Sequence, residues 1–233
     1  MIDRKEIREI TTSKVSSFLE PLNYIKVKMP SDMLAIFECN DHTHNYRVNL
    51  SLIKIHEYKL IYSYEFGIQK IVDLLKEIDK YIPLSKSKYT IKNYITGISP
   101  GQLVDPFDIY KAYSFFNSEK QLEKIIDDLK LFYNEKFVPF CIKYSNYKNL
   151  DQQFNSFDNF YIKGNGNYPT LTFFHVTRLI IARLANNPEY EKVVEKNFEA
   201  LEFLWEQDGG KYDRFDETKP EVFAAKYLRD LKI

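Results

Sequence analysis

Hydrophobic positions along the chain change period several times, and each change predicts an element. Ile7, Ile10, Val15, Phe18 and Leu19 lie on one stripe of a 3.6-residue repeat, which predicts a helix over residues 3–20 that Pro21 stops. Met33 to Asn40 is apolar and tolerates a strand, and Asp41-His42-Thr43-His44-Asn45 is a polar turn. Tyr46, Val48, Leu50 and Leu52 then alternate with Arg47, Asn49 and Ser51, as in a half-buried strand. The alternation slips at Leu52-Ile53, which a bulge would explain. After a turn at Glu57-Tyr58-Lys59, Tyr62, Tyr64 and Phe66 form the next strand. Helical spacing returns with Ile68, Ile71, Val72, Leu75 and Ile78 and ends at Pro83. Tyr89, Ile91 and Ile95 permit another strand before Pro100-Gly101.

Beyond residue 104 the pattern is mainly helical. Asp105-Pro106 fits an N-cap followed by Pro at the first helical position. Ser118 caps a helix with Leu122, Ile125, Ile126, Leu129, Phe132 and Tyr133 inward, disrupted near Pro139. Gly164-Asn165-Gly166-Asn167 predicts a turn. Further helices follow around Phe174–Leu184, from Asn187-Pro188 to about Gln207, and from Pro220 onward. The fold class is therefore α+β: an N-terminal helix and a small antiparallel meander, then a mainly helical C-terminal half. Composition divides the chain into an α+β part (1–104) and a helical part (105–233). No Gly- or Pro-rich linker separates them, so they are expected to share one core.

Composition excludes more than it identifies. Lys plus Arg number 33 and Asp plus Glu 33, so the 233 residues carry no formal net charge. Apolar residues at 44% and aromatics at 16% exclude a disordered chain, and 7 Gly with 9 Pro exclude a low-complexity one. The bias toward Tyr, Phe, Lys, Ile and Asn is what an AT-rich genome produces, so aromatic abundance alone marks no site. No window of about 18 consecutive apolar residues exists to span a membrane. Met1 to Glu6 carries mixed charge and leads into no apolar segment. With only Cys39 and Cys141, this predicts no secretory leader and a cytoplasmic location with reduced thiols.

Three groups of residues could carry chemistry. In the turn, Asp41, His42 and His44 could hold a metal, with Cys39 in range, and support a metal-dependent hydrolase or nuclease. His56 cannot join them, since one strand from 45 to 56 at about 3.3 Å per residue puts it about 40 Å from His44. A solvated hairpin turn explains the same residues. Basic and aromatic residues interleave at Lys88-Tyr89 and Lys143-Tyr144, which could grip phosphates and stack bases of single-stranded nucleic acid. Zero net charge weighs against that. His175 lacks an acidic or thiol neighbour at helical spacing, and Cys141 between Phe140 and Ile142 fits a small apolar packer. No Walker loop, dinucleotide fingerprint, G-x-S-x-G or H-E-x-x-H occurs. The sequence thus leans against an enzyme and calls for no cofactor.

The third group is electrostatic. Residues 187–233 hold 8 basic and 12 acidic side chains. Glu191, Glu195, Glu199, Glu202 and Glu206 recur at steps of three and four along one predicted helix, with Val194, Phe198, Leu201 and Trp205 assigned to its core side. Lys192 and Lys196 flank the stripe. It fits either a solvated face or a docking surface for a basic protein partner.

The N-terminal order also resembles an uncharacterised bacterial α+β family met near polymorphic toxins. The resemblance spans residues 1–80. It is carried by the opening helix into Leu22-Asn23-Tyr24, the strand from Leu34 to Cys39, the Tyr46–Ile55 strand, and Tyr62-Ser63-Tyr64-Glu65-Phe66-Gly67. It implies a non-enzymatic, partner-binding protein of the immunity type and carries over no catalytic residue. The expectation is a non-catalytic protein that docks a basic partner on the glutamate-rich helix face.

Overall fold

The computed structural model describes residues 2–27, 34–54, 56–84, 94–100, 112–156, 173–207 and 209–231. It shows an N-terminal helix, an antiparallel sheet built as a meander and a mainly helical C-terminal half. The expected sites at Lys88-Tyr89, Asp105-Pro106 and Gly164–Asn167 lie outside the described residues.

Contacts divide the chain into two compact units. The first takes its described residues from 1–67 and 96–142, the second from 68–95, 143–163 and 171–233. These units do not follow the boundary at 104 that composition suggests, because the helical segment 119–142 belongs with the sheet.

In the first unit, α1 (Arg4–Leu19) starts where Asp3 accepts a hydrogen bond from the Glu6 amide at 2.8 Å. Its buried face is Ile7, Thr11, Val15 and Leu19. The strands are β1 (Ile25–Lys26), β2 (Ala35–Asn40), β3 (His44–Lys54), β4 (Tyr58–Ile68), β5 (Thr96–Ile98) and β6 (Phe115–Phe116). They lie in chain order from β1 to β5. β6 pairs with the opening of β4 and β5 with its second half. Phe37 pairs with Val48 and Ala35 with Leu50, so β2 and β3 turn the same apolar face inward. That face holds Leu60, Tyr64 and Phe66 of β4, each fully buried. Helix α3 (Glu119–Phe132), capped by Ser118, supplies Leu122, Ile126 and Leu129. The Tyr64 ring stacks on Phe137 at 4.9 Å, and its hydroxyl donates to the Leu129 carbonyl at 2.8 Å. Burying each such ring contributes roughly 1.5–3 kcal/mol.

Pro139 does not end the α3 segment. A π turn (Tyr133–Phe137) absorbs the missing N–H, and α4 (Val138–Tyr144) continues through the proline. On the other sheet face Arg47 lies between two carboxylates. Its Nε meets Glu38 at 2.8 Å and its Nη1 meets Glu65 at 3.4 Å.

The second unit is built on α6 (Phe174–Leu184). Every residue from Val176 to Ala182 is buried, so no polar stripe is left to face solvent. Helices α2 (Gln69–Tyr81), α5 (Tyr147–Asn155), α7 (Tyr190–Gln207) and α8 (Pro220–Asp230) pack around it. α7 buries Val193, Val194, Asn197, Phe198, Ala200 and Leu201. Trp205, placed on the core side by periodicity, is instead 47% exposed, because the core ends one turn before the helix does. Among the described residues no helix is long and apolar enough to cross a membrane.

Candidate functional site

The glutamates of α7 share one face, but the protein's own cations occupy most of it. From the loop after α7, Arg214 reaches back to Glu202 with Nε at 2.6 Å and Nη2 at 2.7 Å, and to Glu195 with Nη1 at 2.7 Å. Arg229 of α8 grips both oxygens of Glu191, with Nε 2.9 Å from Oε1 and Nη2 2.6 Å from Oε2. Lys196 meets Glu199 at 2.5 Å. The hydrogen bonds from Arg214 and Arg229 hold the Glu202 and Glu191 carboxyls below the ordinary range. Glu206 alone of the five has no ion pair among the described residues. The stripe from Glu191 to Glu206, read from the sequence as either a solvated face or a docking surface, is thus mostly paired within the protein. Arg214 and Arg229 lie 12 or more positions from their partners, beyond the reach of helix periodicity.

What those pairs build is a braced loop. Asp213 accepts a hydrogen bond from the Phe215 amide at 2.9 Å, and Asp216 accepts from the Thr218 amide at 3.0 Å and its hydroxyl at 2.6 Å. Between these turns Phe215 is 83% exposed, the highest value among the described large apolar side chains. Phe203 at 54% and Trp205 at 47% are also exposed near this end of α7. The helix ends where Gly209 adopts φ +75° and the Gly210 amide donates to the Trp205 carbonyl at 2.8 Å. Aromatic groups this exposed on a hydrogen-bonded loop have the character of anchor residues.

The turn between β2 and β3 is spent on its own backbone. Asp41 Oδ1 accepts from the His44 amide at 2.7 Å, the Thr43 amide at 3.0 Å and the Thr43 hydroxyl at 2.7 Å, while Oδ2 accepts from the Tyr46 hydroxyl at 3.2 Å. Burial pushes this carboxyl up, but those hydrogen bonds outweigh it and hold it at about 2. The His44 ring stacks on Phe66 at 5.5 Å, and exposed His42 sits at φ +73°. Among the described residues no three His, Cys, Asp or Glu side chains gather to hold a metal, so Asp41, His42 and His44 do not form the expected set. Burial raises both thiols, Cys39 with help from the Asp41 charge, which disfavours thiolates.

Lys143 and Tyr144 do not form a base-stacking face. Tyr144 is buried, its hydroxyl meets Gln153 at 3.0 Å, and the Lys143 ammonium lies 5.1 Å from its ring.

Sequence reasoning missed a buried polar bracket in the second unit. Asn155 accepts from Arg178 Nε at 3.0 Å and donates to the Arg178 carbonyl at 3.1 Å and to Asp151 at 2.7 Å. Asn187 donates to the second Asp151 oxygen at 2.7 Å. Burial lowers the Arg178 guanidinium to about 9, partly offset by Asp151. His175 Nδ1 lies 2.8 Å from Asn197 Oδ1, and burial lowers its proton affinity. These amides tie α5, α6 and α7 together. Scattered single Asn residues on helices give no periodic signal by which to find them.

The fold and this surface define an α+β protein that presents exposed aromatic side chains on a loop braced against an acidic helix. Compared with models of known families, with curated proteins and with solved structures, the chain gives no match.

Proposed function

We propose that the protein is a non-catalytic, cytoplasmic binding protein that docks another protein through the C-terminal end of α7 and the loop after it. The observation that carries this reading is Phe215, 83% exposed yet held between two Asp-capped turns and an Arg214 clamp. The turns fix the backbone at Phe215, so docking would have to order only its two side-chain torsions, and most of the ring's burial would go into affinity. Residues 187–233 keep an excess of four acidic side chains even though several are paired, which suits a partner with an apolar pocket rimmed by Lys and Arg. The resemblance of residues 1–80 supports an immunity-type role, with the basic face of a toxin as partner.

Affinity capture on the immobilised protein, from extract of the cells that make it, tests the reading. Wild type is run beside Phe215→Ala and Glu191→Gln. Truncating a central anchor costs about 2 kcal/mol or more, roughly thirtyfold in affinity. The expected partner is kept by wild type and Glu191→Gln, lost with Phe215→Ala, and bound less as salt rises. Identical retention by wild type and Phe215→Ala overturns the proposal.

A further inference from the structure

Behind Phe215 the loop builds a corner of aromatic rings. Trp205 and Tyr212 meet edge to face, with centroids 6.1 Å apart and planes at 63°. Gly210 closes one side of Trp205. A Cβ at 210 would lie 3.2 Å from the ring, so backbone seats the indole there. Phe198 backs Tyr212 at 6.4 Å. Tyr212 is buried at 5% exposure, whereas Trp205 is nearly half exposed, so the corner has a closed wall and an open wall. Carboxylates surround it. Glu221 lies 3.4 Å from the Tyr212 hydroxyl, and that hydroxyl is pushed up by burial and by the charges of Glu221, Asp216 and Glu202.

The corner already holds a cation. The Lys219 ammonium lies 3.9 Å from the Tyr212 centroid and 4.7 Å from that of Trp205. The two ring faces are its nearest partners, and the Asp216 carboxylate also feels its charge, with no carboxylate among the described residues within ion-pair distance. Lys219 is also the residue before α8, and its carbonyl accepts from the Phe223 amide at 3.1 Å. That backbone role does not need the ammonium.

We infer that the Trp205–Tyr212 corner is a recognition site for a basic side chain of the partner, with Lys219 its resident occupant in the free protein. The inference deepens the proposed docking reading and rests on it. An arginine suits the corner best. Its flat guanidinium stacks on an indole face and is more weakly hydrated than an ammonium, so leaving water costs it less. Lys219 then acts as a placeholder. It covers the ring faces and screens the neighbouring carboxylates until the stronger cation displaces it.

Trp205 is the single tryptophan, so its fluorescence reports the corner without interference. The test titrates N-acetyl-arginine amide, with the neutral N-acetyl-citrulline amide as control, into wild type, Lys219→Ala and Lys219→Met. The methionine variant keeps an unbranched stem without charge, so the corner stays supported if alanine disturbs the fold. The expected result is a saturable Trp205 change with the arginine amide alone, at a half-saturation at least tenfold lower in the Lys219 variants than in wild type. Equal responses to arginine and citrulline amides, or equal half-saturation in variant and wild type, overturn the inference. The latter result leaves Lys219 as a structural filler only. The same titration in Phe215→Ala keeps the two claims apart, because the corner still responds there even if docking through Phe215 is wrong.

Discussion

Arg214 is where the electrostatics and the presentation of Phe215 meet, and Arg214→Met isolates its charge while keeping most of its stem. The side chain is 29% exposed, Glu202 30% and Glu195 53%, so these are surface pairs in partial contact with water. Exposed ion pairs contribute about 0.2–1 kcal/mol. The two-point grip on Glu202 places this one toward the upper end. Without the guanidinium, Glu195, Glu199 and Glu202 repel one another at helical spacing, at about 0.2–0.5 kcal/mol for each neighbouring pair. Together the loop should loosen by about 1–2 kcal/mol. Hydrogen exchange reads this directly at the amides of Phe215 and Thr218, which donate to Asp213 and Asp216. Both should exchange roughly tenfold faster, since 1.4 kcal/mol is a factor of ten. Salt gives a second sign. Screening weakens the clamp in wild type and speeds exchange, whereas in Arg214→Met it relieves carboxylate repulsion and slows exchange. Unchanged exchange at both amides, or a salt response of the same sign in both proteins, would refute the claim that Arg214 braces the loop.

Two further perturbations test the first unit. In Gly97→Ala the new Cβ would stand 2.7 Å from the Tyr64 carbonyl oxygen, a backbone atom that cannot swing away, so the β4–β5 pair must shift. The cost should be about 1–3 kcal/mol in denaturant unfolding, and a loss under about 0.5 kcal/mol would mean that the strands do not approach this closely. Asp41 titrates at about 2 in the fold against an ordinary 3.8. Its contribution is therefore complete above about pH 4 and is lost as pH falls toward 2. At 46% side-chain exposure the shift is discounted to about 1 kcal/mol. The stability gap between wild type and Asp41→Asn should shrink by about that amount from pH 5 to pH 2.5, and a gap independent of pH would reject the capped turn.

Where a pattern is local, the fold was legible in the chain. The period of 3.6 places α1, α2, α3 and α6 within a few residues, and the alternation Tyr62, Tyr64, Phe66 marks the buried face of β4. Asn187-Pro188 and Asp208-Gly209-Gly210 bound the predicted form of α7, found at Tyr190–Gln207. What was not legible depends on distant partners. Phe115–Phe116 is a strand only because Tyr58 and Lys59 lie opposite it, and two residues carry no period. Pro139 signals a break, but whether it stops a helix or provokes a π turn depends on how Phe137 packs against Tyr64. The Trp205 position continues the apolar stripe of α7, and periodicity cannot show where the surrounding core ends. The acidic stripe was visible, but its pairing with Arg214 and Arg229 was not, since nothing in spacing announces contacts across 12, 19 and 38 positions.

That pairing changes what each charge can do. An ion pair spends the directional capacity of a carboxylate, but it leaves the sum of charges over the surface where the sequence put it. The long-range field still reflects the excess of four acids in residues 187–233, and under the proposed docking it would steer the approach of a basic partner. Under the proposed docking, short-range recognition would fall to Phe215 by its exposure, to Glu206, which has no ion pair among the described residues, and to the Trp205–Tyr212 corner through its Lys219 occupant. Reversing Glu195 or Glu202 would therefore act twice, once on the field and once by releasing Arg214 and the loop it braces. The glutamates of α7 thus act first as a frame for the loop that carries Phe215, and under the proposed docking the contact itself would lie toward the end of the helix.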